Sequence, residues 1–313
     1  MKKSLSFIAL LSLCISVSAQ AKDKLTLMLD WFVNPDHAAI IVAQQKGYFA
    51  EQNLDVEIIE PADPSMPPKL VAAGKADLAV DYQPQLHMQV SEGLPLVRVA
   101  TLVSTPLNTL VVLKSSDIKK MADFKGKRIG YSVSGFEDGL LKAMLKTGNL
   151  SIKDVELVNV NWSLSPSLLS GQVDGVIGAY RNFELNQLDL EKHPGFAFYP
   201  EENNVPNYDE LIIVAAKKNL DKQKLNAFLN ALEKATVFSL NHPQEAWQAF
   251  VSYKPKELDN ELNRRAWKDT LPRLALRPRA LDSQRYRKMA EFLAQQKLIK
   301  QSLPVADYAI ELQ

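Results

Sequence analysis

Hydrophobic and polar positions alternate with a period of two in several short segments of this chain, and the segments between them have the wider spacing of helices. Early in the chain this pattern predicts strands at residues 24–30, 53–60 and 76–81, and helices at 37–46 and 69–73. Gly47 and Gly74 directly follow the two helices and are typical of helix ends. A β-α-β-α-β series with short connections predicts a parallel, doubly wound sheet.

A second, shorter alternation follows two apolar runs at residues 96–104 and 109–114, which predict a crossover into a second lobe. Strands are predicted there at 126–131, 155–159, 173–179 and 195–199, and the segment 209–216 is the predicted return crossover. The pattern after residue 220 is helical, and we expect these helices to pack on the first lobe. We therefore predict an α/β fold of two doubly wound lobes joined by two hinge crossovers. Lobe one would hold residues 22–110 and 212–313, and lobe two residues 111–211.

The first 21 residues predict export. Lys2 and Lys3 precede an apolar run at 5–17, and small residues follow it, which is the pattern of a secretory signal cleaved after Ala19 or Ala21. The run is shorter than the roughly 18–20 apolar residues that a membrane-spanning helix needs. The single cysteine, Cys14, lies inside this segment, so the mature chain would have no thiol, disulfide or cysteine ligand for a metal.

Charge excludes one large class of partner. The 37 basic and 36 acidic residues nearly cancel, and the chain has neither a basic stripe nor an acidic tail. We therefore expect no binding to nucleic acid. The four histidines include no pair at metal-ligand spacing near the candidate site, so we also expect no metal.

Candidate ligand contacts in lobe one follow two predicted strands, at the edge where open α/β sheets bind ligands. Trp31 offers a flat aromatic face or is a core tryptophan, Asn34 contacts the ligand or forms a turn, and His37 contacts the ligand or caps the helix that it begins. After the third strand, Tyr82 offers a second aromatic face and Asp81 a hydrogen-bond acceptor, unless both have simple loop roles.

Lobe two supplies Tyr180, Asn182 and Glu184, which follow the predicted strand at 173–179. Glu184 is the strongest electrostatic candidate, because a carboxylate can accept two charge-assisted hydrogen bonds at once through its two oxygens. The alternative is an ordinary exposed acid at a helix start. The loop containing Ser132 and Ser134 opens a helix and could bind an anion, but it lacks the glycine pattern of a nucleotide site.

Four segments carry a resemblance to a known family: LDWFVNPDHAAIIVAQQKGYFAEQNLDVEIIEPADP, KLVAAGKADLAV, DFKGKRIGYSVSG and GQVDGVIGAYRNFE. They resemble the pyrimidine-precursor proteins of thiamine biosynthesis, over nearly the whole mature chain. The resemblance implies the periplasmic binding protein fold of type II. It also implies one of two activities: delivery of an aminopyrimidine to an ABC permease, or synthesis of the pyrimidine from pyridoxal phosphate and the enzyme's own histidine.

The resemblance favours delivery over synthesis. Where the fungal enzyme has a lysine and a histidine four residues apart, this chain has Asp81 and Gln85, and it lacks the enzyme's cysteine cluster. Without that lysine no Schiff base to pyridoxal phosphate forms. We therefore expect a monomeric periplasmic binding protein that has no cofactor, is not an enzyme, and delivers a thiamine pyrimidine precursor to an inner-membrane ABC permease. An exported pyrimidine-processing enzyme, or the same fold with a sulfonate, nitrate or flavin as cargo, are the alternatives.

Overall fold

The computed structural model describes residues 22–218 and 220–312, so the predicted signal at 1–21 and its cleavage site lie outside the described residues. The strands in these ranges are β1 (Asp23–Met28), β2 (Leu54–Ile59), β3 (Leu78–Asp81), β4 (Leu96–Val103), β5 (Asn108–Leu113), β6 (Arg128–Tyr131), β7 (Glu156–Asn159), β8 (Gly175–Tyr180), β9 (Gly195–Phe198) and β10 (Leu211–Ala216).

The helices alternate with these strands in the first two thirds of the chain and then follow one another directly. They are α1 (Ala38–Gln45), α2 (Tyr48–Glu51), α3 (Pro67–Ala72), α4 (Gln83–Ser91), α5 (Glu137–Leu145), α6 (Leu164–Leu169), α7 (Glu184–Leu190), α8 (Lys222–Asn241), α9 (Pro243–Ser252), α10 (Pro255–Leu258), α11 (Glu261–Thr270) and α12 (Ser283–Gln295). None of the helices in 22–218 and 220–312 is long and apolar enough to cross a membrane.

The strands form two five-stranded sheets, each of which is the centre of one lobe. Lobe one has the order β2-β1-β3-β10-β4 and lobe two has the order β7-β6-β8-β5-β9. β1 is parallel to β2 and β3, and β6 is parallel to β7 and β8, as the β-α-β pattern predicts. This arrangement confirms the predicted α/β fold of two doubly wound lobes.

Each sheet is mixed rather than wholly parallel, which corrects the prediction of a parallel sheet. β10 runs antiparallel to β3 and β4, and β5 runs antiparallel to β8 and β9. Both are crossover strands, so they enter their sheet from the other lobe and run against its direction. β5 begins at Asn108 in the second sheet. The exact lobe boundaries at 110/111 and 211/212 stay predictions.

Helix α1 is the central helix of lobe one. Its residues from Ala38 to Ala43 are all buried, and α8 and α9 pack against it, as expected of the C-terminal helices. The chain turns out of α1 at Gly47, whose φ of 73° lies in the left-handed region that glycine adopts without strain. A 3-10 turn at Pro35–His37 precedes α1, and the helix predicted at 37–46 begins one residue later, at Ala38.

A single carboxyl group joins the two crossovers. Glu210, just before β10, accepts hydrogen bonds at Oε2 from the backbone N–H of Leu107 at 2.6 Å and from that of Asn108 at 2.9 Å. Burial raises the pKa of Glu210 to about 7, although both N–H donors act to lower it. The start of the return crossover is thereby bound to the end of the outgoing one.

The buried guanidinium of Arg98 on β4 attaches the C-terminal part of the chain to lobe one. It is 0 % exposed and donates to the carbonyl oxygens of Pro278, Arg279, Ala280 and Ile310 at 2.5–3.1 Å. It also donates to the hydroxyl of Thr101 at 2.8 Å. The planar fork of arginine suits several convergent acceptors better than a lysine ammonium would.

Asp81, at the end of β3, is a further buried residue with an ionisable side chain, but it has no cation beside it. The residue is 1 % exposed, and no side chain in 22–218 or 220–312 donates a hydrogen bond to its carboxyl group. Burial raises the pKa of Asp81 to about 8, against the opposing effect of the Tyr82 backbone N–H. The folded chain therefore holds a proton here that the unfolded chain releases at a lower pH.

Replacing Arg98 with methionine is expected to lower the free energy of unfolding by roughly 3 kcal/mol or more, because several buried carbonyl groups lose their donor. Urea unfolding followed by circular dichroism measures the loss. Arg128→Met is the matched control, since the Arg128 side chain is 41 % exposed beside Asp174 and such pairs contribute up to about 1 kcal/mol. Equal losses in the two variants would contradict the role assigned to Arg98.

Asp81→Asn is expected to stabilise the chain increasingly as pH rises from about 4, the pKa of an unfolded aspartate, to about 8, its value in the fold. Over this window the native aspartate loses stability because the unfolded chain ionises first, whereas asparagine does not titrate. The gain at the upper end should be several kcal/mol, because it grows by more than about 1 kcal/mol for each pH unit between the two pKa values. Unfolding curves at several pH values measure it, with Asp55→Asn on the exposed face of β2 as the control. A gain that is constant with pH would refute this explanation.

Candidate functional site

A cavity lies between the two lobes, at the carboxyl ends of β1, β3 and β8. Both lobes contribute to it, and none of its lining residues is a lysine or an arginine. The lining residues are Asp30, Trp31, Asn34, Asp36, His37 and Tyr82 of lobe one, and Val133, Glu137, Leu164, Gly178, Tyr180, Phe183 and Glu184 of lobe two.

Asp30 organises the lobe-one wall. Its Oδ1 lies 2.9 Å from His37 Nε2, and its Oδ2 accepts a hydrogen bond of 2.9 Å from the Tyr82 hydroxyl. His37 Nδ1 in turn accepts the backbone N–H of Asn34 at 3.4 Å, so Nε2 carries the proton that is donated to Asp30. Two of the predicted contacts, His37 and Tyr82, are thus oriented by an aspartate that the sequence reasoning did not select.

Asn34 lines the cavity, and its amide is used within its own loop. Oδ1 accepts the backbone N–H of Asp36 at 2.8 Å, and Nδ2 donates to the carbonyl of Phe32 at 3.2 Å. This is the turn-forming alternative, and it caps the 3-10 turn Pro35–His37. His37 also belongs to that turn, so its helix-start role and its place in the cavity coexist.

Asn182 connects the lobes but does not line the cavity. Its Nδ2 donates to Asp36 Oδ1 at 2.6 Å and lies 2.7 Å from the hydroxyl of Thr270 at the end of α11. Thr270 also donates to Asp36 Oδ1, at 3.1 Å. Burial raises the pKa of Asp36 to about 6, although Asn182 and Thr270 act to lower it. Asn182, which the sequence predicts as a ligand contact, therefore belongs to a cluster of three hydrogen-bonded residues that joins the two lobes.

Aromatic pairs also cross between the lobes beside the cavity. Trp31 contacts Trp162 with a ring-centroid distance of 4.4 Å, and Tyr82 is stacked on Phe136 at 4.7 Å with an interplanar angle of 10°. Trp31 is half-buried and lines the cavity, so it is not a core tryptophan. Because these rings of the two lobes are in direct contact, the lobes are closed on each other beside the cavity.

Glu184 begins α7 and is buried in the cavity wall rather than exposed at a helix start. Its Oε2 accepts the backbone N–H of Tyr180 at 2.7 Å, which folds the segment after β8 back toward the cavity. Burial raises the pKa of Glu184 to about 7, and hydrogen bonds from backbone N–H groups oppose this rise. The carboxyl group therefore lines the cavity, and its protonation state changes near neutral pH.

Glu137 is a cavity residue that the sequence reasoning missed. It is 4 % exposed, and its Oε2 accepts the backbone N–H groups of Ser132 at 2.6 Å and Val133 at 3.1 Å. Burial raises the pKa of Glu137 to about 8, against the effect of these two donors. The loop that was expected to offer free N–H groups to an anion thus has them bound to its own carboxyl group. The missed signal was the acid at the first helical position after that loop.

Asp81 and the two remaining tryptophans lie elsewhere. Asp81 does not line the cavity, although it follows the same sheet edge as Trp31. Trp247 and Trp267 pack on each other and on Phe250 in the core of lobe one. Within 22–218 and 220–312, no group of three or more histidine, cysteine, aspartate or glutamate residues is arranged to hold a metal ion.

Sequence comparison gives close and distant relatives that span most of this chain. A Haemophilus influenzae protein named for thiamine biosynthesis is 64 % identical, over 98 % of each chain. The formylaminopyrimidine-binding protein of Halalkalibacterium halodurans is 34 % identical over 74 % of this chain and 71 % of its own. A 4-amino-5-hydroxymethyl-2-methylpyrimidine phosphate synthase of Saccharomyces cerevisiae is 30 % identical over 77 % of this chain and 74 % of its own.

Solved structures support the fold independently of sequence. The alkanesulfonate-binding protein SsuA of Xanthomonas axonopodis pv. citri has a TM-score of 0.73 at 15 % identity, over 93 % of this chain and 99 % of its own. The periplasmic aliphatic sulphonate-binding protein SsuA of Escherichia coli has a TM-score of 0.68 at 14 % identity, over 93 % and 92 %. These likenesses show a periplasmic binding protein fold. Because the model of the NMT1/THI5-like family matches residues 34–246, the chain belongs to that family.

Proposed function

We propose that this chain is the exported substrate-binding protein of an ABC importer and that it captures a thiamine pyrimidine precursor between its lobes. The observation that carries the proposal is the position of the Glu184 carboxyl group in a cavity that both lobes line with aromatic rings. An aminopyrimidine is a flat ring edged with hydrogen-bond donors and acceptors. A wall with aromatic faces and carboxyl acceptors is complementary to that chemistry.

The placement of the cavity supports capture followed by delivery. Trp31 and Tyr82 belong to lobe one, and Tyr180 and Glu184 belong to lobe two, so a ligand that touches all four contacts both lobes only when they are closed. Such a ligand binds the closed state more tightly than the open state and shifts the population toward it. A permease that recognises the closed form would then receive loaded protein.

The lining residues argue against pyrimidine synthesis. A Schiff base to pyridoxal phosphate requires a lysine amine in the cavity, and the cavity has none. Asp81 and Gln85 stand where the fungal enzyme has its lysine and histidine, and Asp81 is buried outside the cavity. His37, the histidine in the wall, is held at both ring nitrogens by the protein itself.

The same lining argues against sulfonate or nitrate as cargo. Four carboxyl groups, those of Asp30, Asp36, Glu137 and Glu184, surround the cavity without a lysine or arginine. An anion would find no lysine or arginine in this lining to compensate its charge, and every carboxyl group that is ionised would repel it. The likeness to sulfonate-binding structures is therefore limited to the fold. The chemistry of the cavity favours a ligand rich in hydrogen-bond donors.

Isothermal titration with hydroxymethyl-, aminomethyl- and formylaminomethyl-pyrimidine tests the proposal directly. Native mass spectrometry of protein purified from its own cells identifies any ligand that co-purifies and gives the oligomeric state, for which we propose a monomer. Saturable binding of one pyrimidine with unchanged ligand mass supports a binding protein. Conversion of the pyrimidine to a new product would instead support the exported enzyme.

Glu184→Gln is expected to weaken pyrimidine binding roughly 10- to 100-fold, because a charge-assisted hydrogen bond to the ligand becomes a neutral one. Titration at constant pH measures the change. Glu191→Gln, an exposed acid just after α7, is the matched control and should bind as the native chain does. Full affinity in the Glu184 variant would remove Glu184 from the proposed site.

A further inference from the structure

The loop that leads into α5 has its backbone N–H groups bound to a carboxyl group of the same chain. The chain leaves β6 at Tyr131 and turns into α5, and the backbone N–H groups of Ser132 and Val133 point toward that turn. Both donate to Oε2 of Glu137, the first residue of α5, at 2.6 and 3.1 Å. A helix start with convergent N–H groups is a favourable place for a phosphate, and here a carboxyl group already occupies it.

The Glu137 side chain is also fixed from the opposite side, by β8. A Cβ atom at Gly178 would lie 2.3 Å from Glu137 Oε1, so any other residue at that position would displace the carboxyl group. Gly178 has a φ of 98°, which other residues rarely adopt. Glu137 is therefore held between a loop and a strand that both fit it, with its carboxyl group in the cavity wall.

The rest of the wall offers nothing that would attract an anion. The other acidic residues that line the cavity are Asp30, Asp36 and Glu184, and none of the remaining lining residues is a lysine or an arginine. A phosphate group entering the cavity would have to displace Glu137 from its two donors. It would then meet three further carboxyl groups.

We propose that Glu137 is a specificity-determining residue that excludes phosphorylated ligands by occupying the N–H groups that a phosphate would need. The inference rests on the proposed function, and it selects a class within it: unphosphorylated pyrimidines. The alcohol hydroxymethylpyrimidine and its phosphate monoester have the same ring and differ in the group that Glu137 excludes. Discrimination between them is therefore a property of this one position.

Titration calorimetry with the alcohol and with its monoester tests the proposal on the native chain, Glu137→Gln and Glu137→Ser. Glutamine keeps an oxygen acceptor of the same size without the charge, whereas serine is too short to fill the site and leaves the two N–H groups free. Asp138→Ala is the matched control, because Asp138 accepts the N–H of Gly135 at 2.6 Å in the same loop and lies outside the cavity lining. Circular dichroism checks that each variant is folded.

The native chain should bind the alcohol at least about tenfold more tightly than the monoester. This preference should fall by roughly tenfold or more in Glu137→Ser, which leaves the two N–H groups free, and by less in Glu137→Gln, which keeps an oxygen acceptor for them. Asp138→Ala should keep it. Native protein that binds both compounds equally, or a preference unchanged in both Glu137 variants, would overturn the proposal.

Inorganic phosphate separates this proposal from the function that it rests on. Phosphate should raise the melting temperature of Glu137→Ser and leave those of the native chain and Asp138→Ala unchanged, whether or not a pyrimidine binds. Phosphate stabilisation of Glu137→Ser with no pyrimidine bound by any form would support anion exclusion by Glu137 and refute the proposed cargo. If phosphate stabilises the native chain as well as the variant, Glu137 excludes nothing.

Discussion

The burial of four carboxyl groups at the junction of two lobes, without a cation beside them, is the constraint on which this structure depends. Each group is supported by neutral donors: Asp30 by His37 and Tyr82, Asp36 by Asn182 and Thr270, Glu137 by Ser132 and Val133, and Glu184 by Tyr180. Burial still raises the pKa of Asp36, Glu137 and Glu184. The folded chain thus maintains a cavity rich in acceptors, and a ligand that brings donors relieves part of the cost of burying them.

The contacts between lobes do not belong to the ligand alone. Asn182 bonds to Asp36 and Thr270, Trp31 contacts Trp162, and Arg265 on α11 forms an ion pair with Asp189 on α7 at 2.7 Å. These protein contacts stabilise the closed arrangement by themselves, so the ligand adds to a closure that is already partly favourable. Asn182 contributes to this closed arrangement through its hydrogen bonds, and its role as a ligand contact stays a prediction.

The order of strands and helices and the two lobes could be predicted from the sequence, because period-two strands and glycine stops are local signals. Polar strand ends are also local signals, and six of the eight residues predicted from them line the cavity. Asp81 and Asn182 were placed by the same rule, but a strand end does not say which side of the sheet a side chain occupies, and both lie outside the cavity lining. Glu137 was missed because its role arises from folding back onto the N–H groups of its own loop. The antiparallel direction of β5 and β10 was likewise invisible, since it depends on how the lobes are connected.

Glu210 has a mechanical consequence for how the lobes separate. Its carboxyl group holds the two chain crossings together at Leu107 and Asn108, so neither crossing can lengthen or slide without the other. A separation of the lobes that keeps these two hydrogen bonds would be a rotation about Glu210, because the crossings cannot slide past each other there. Such a rotation would preserve the alignment of the facing surfaces that brings Trp31 against Trp162.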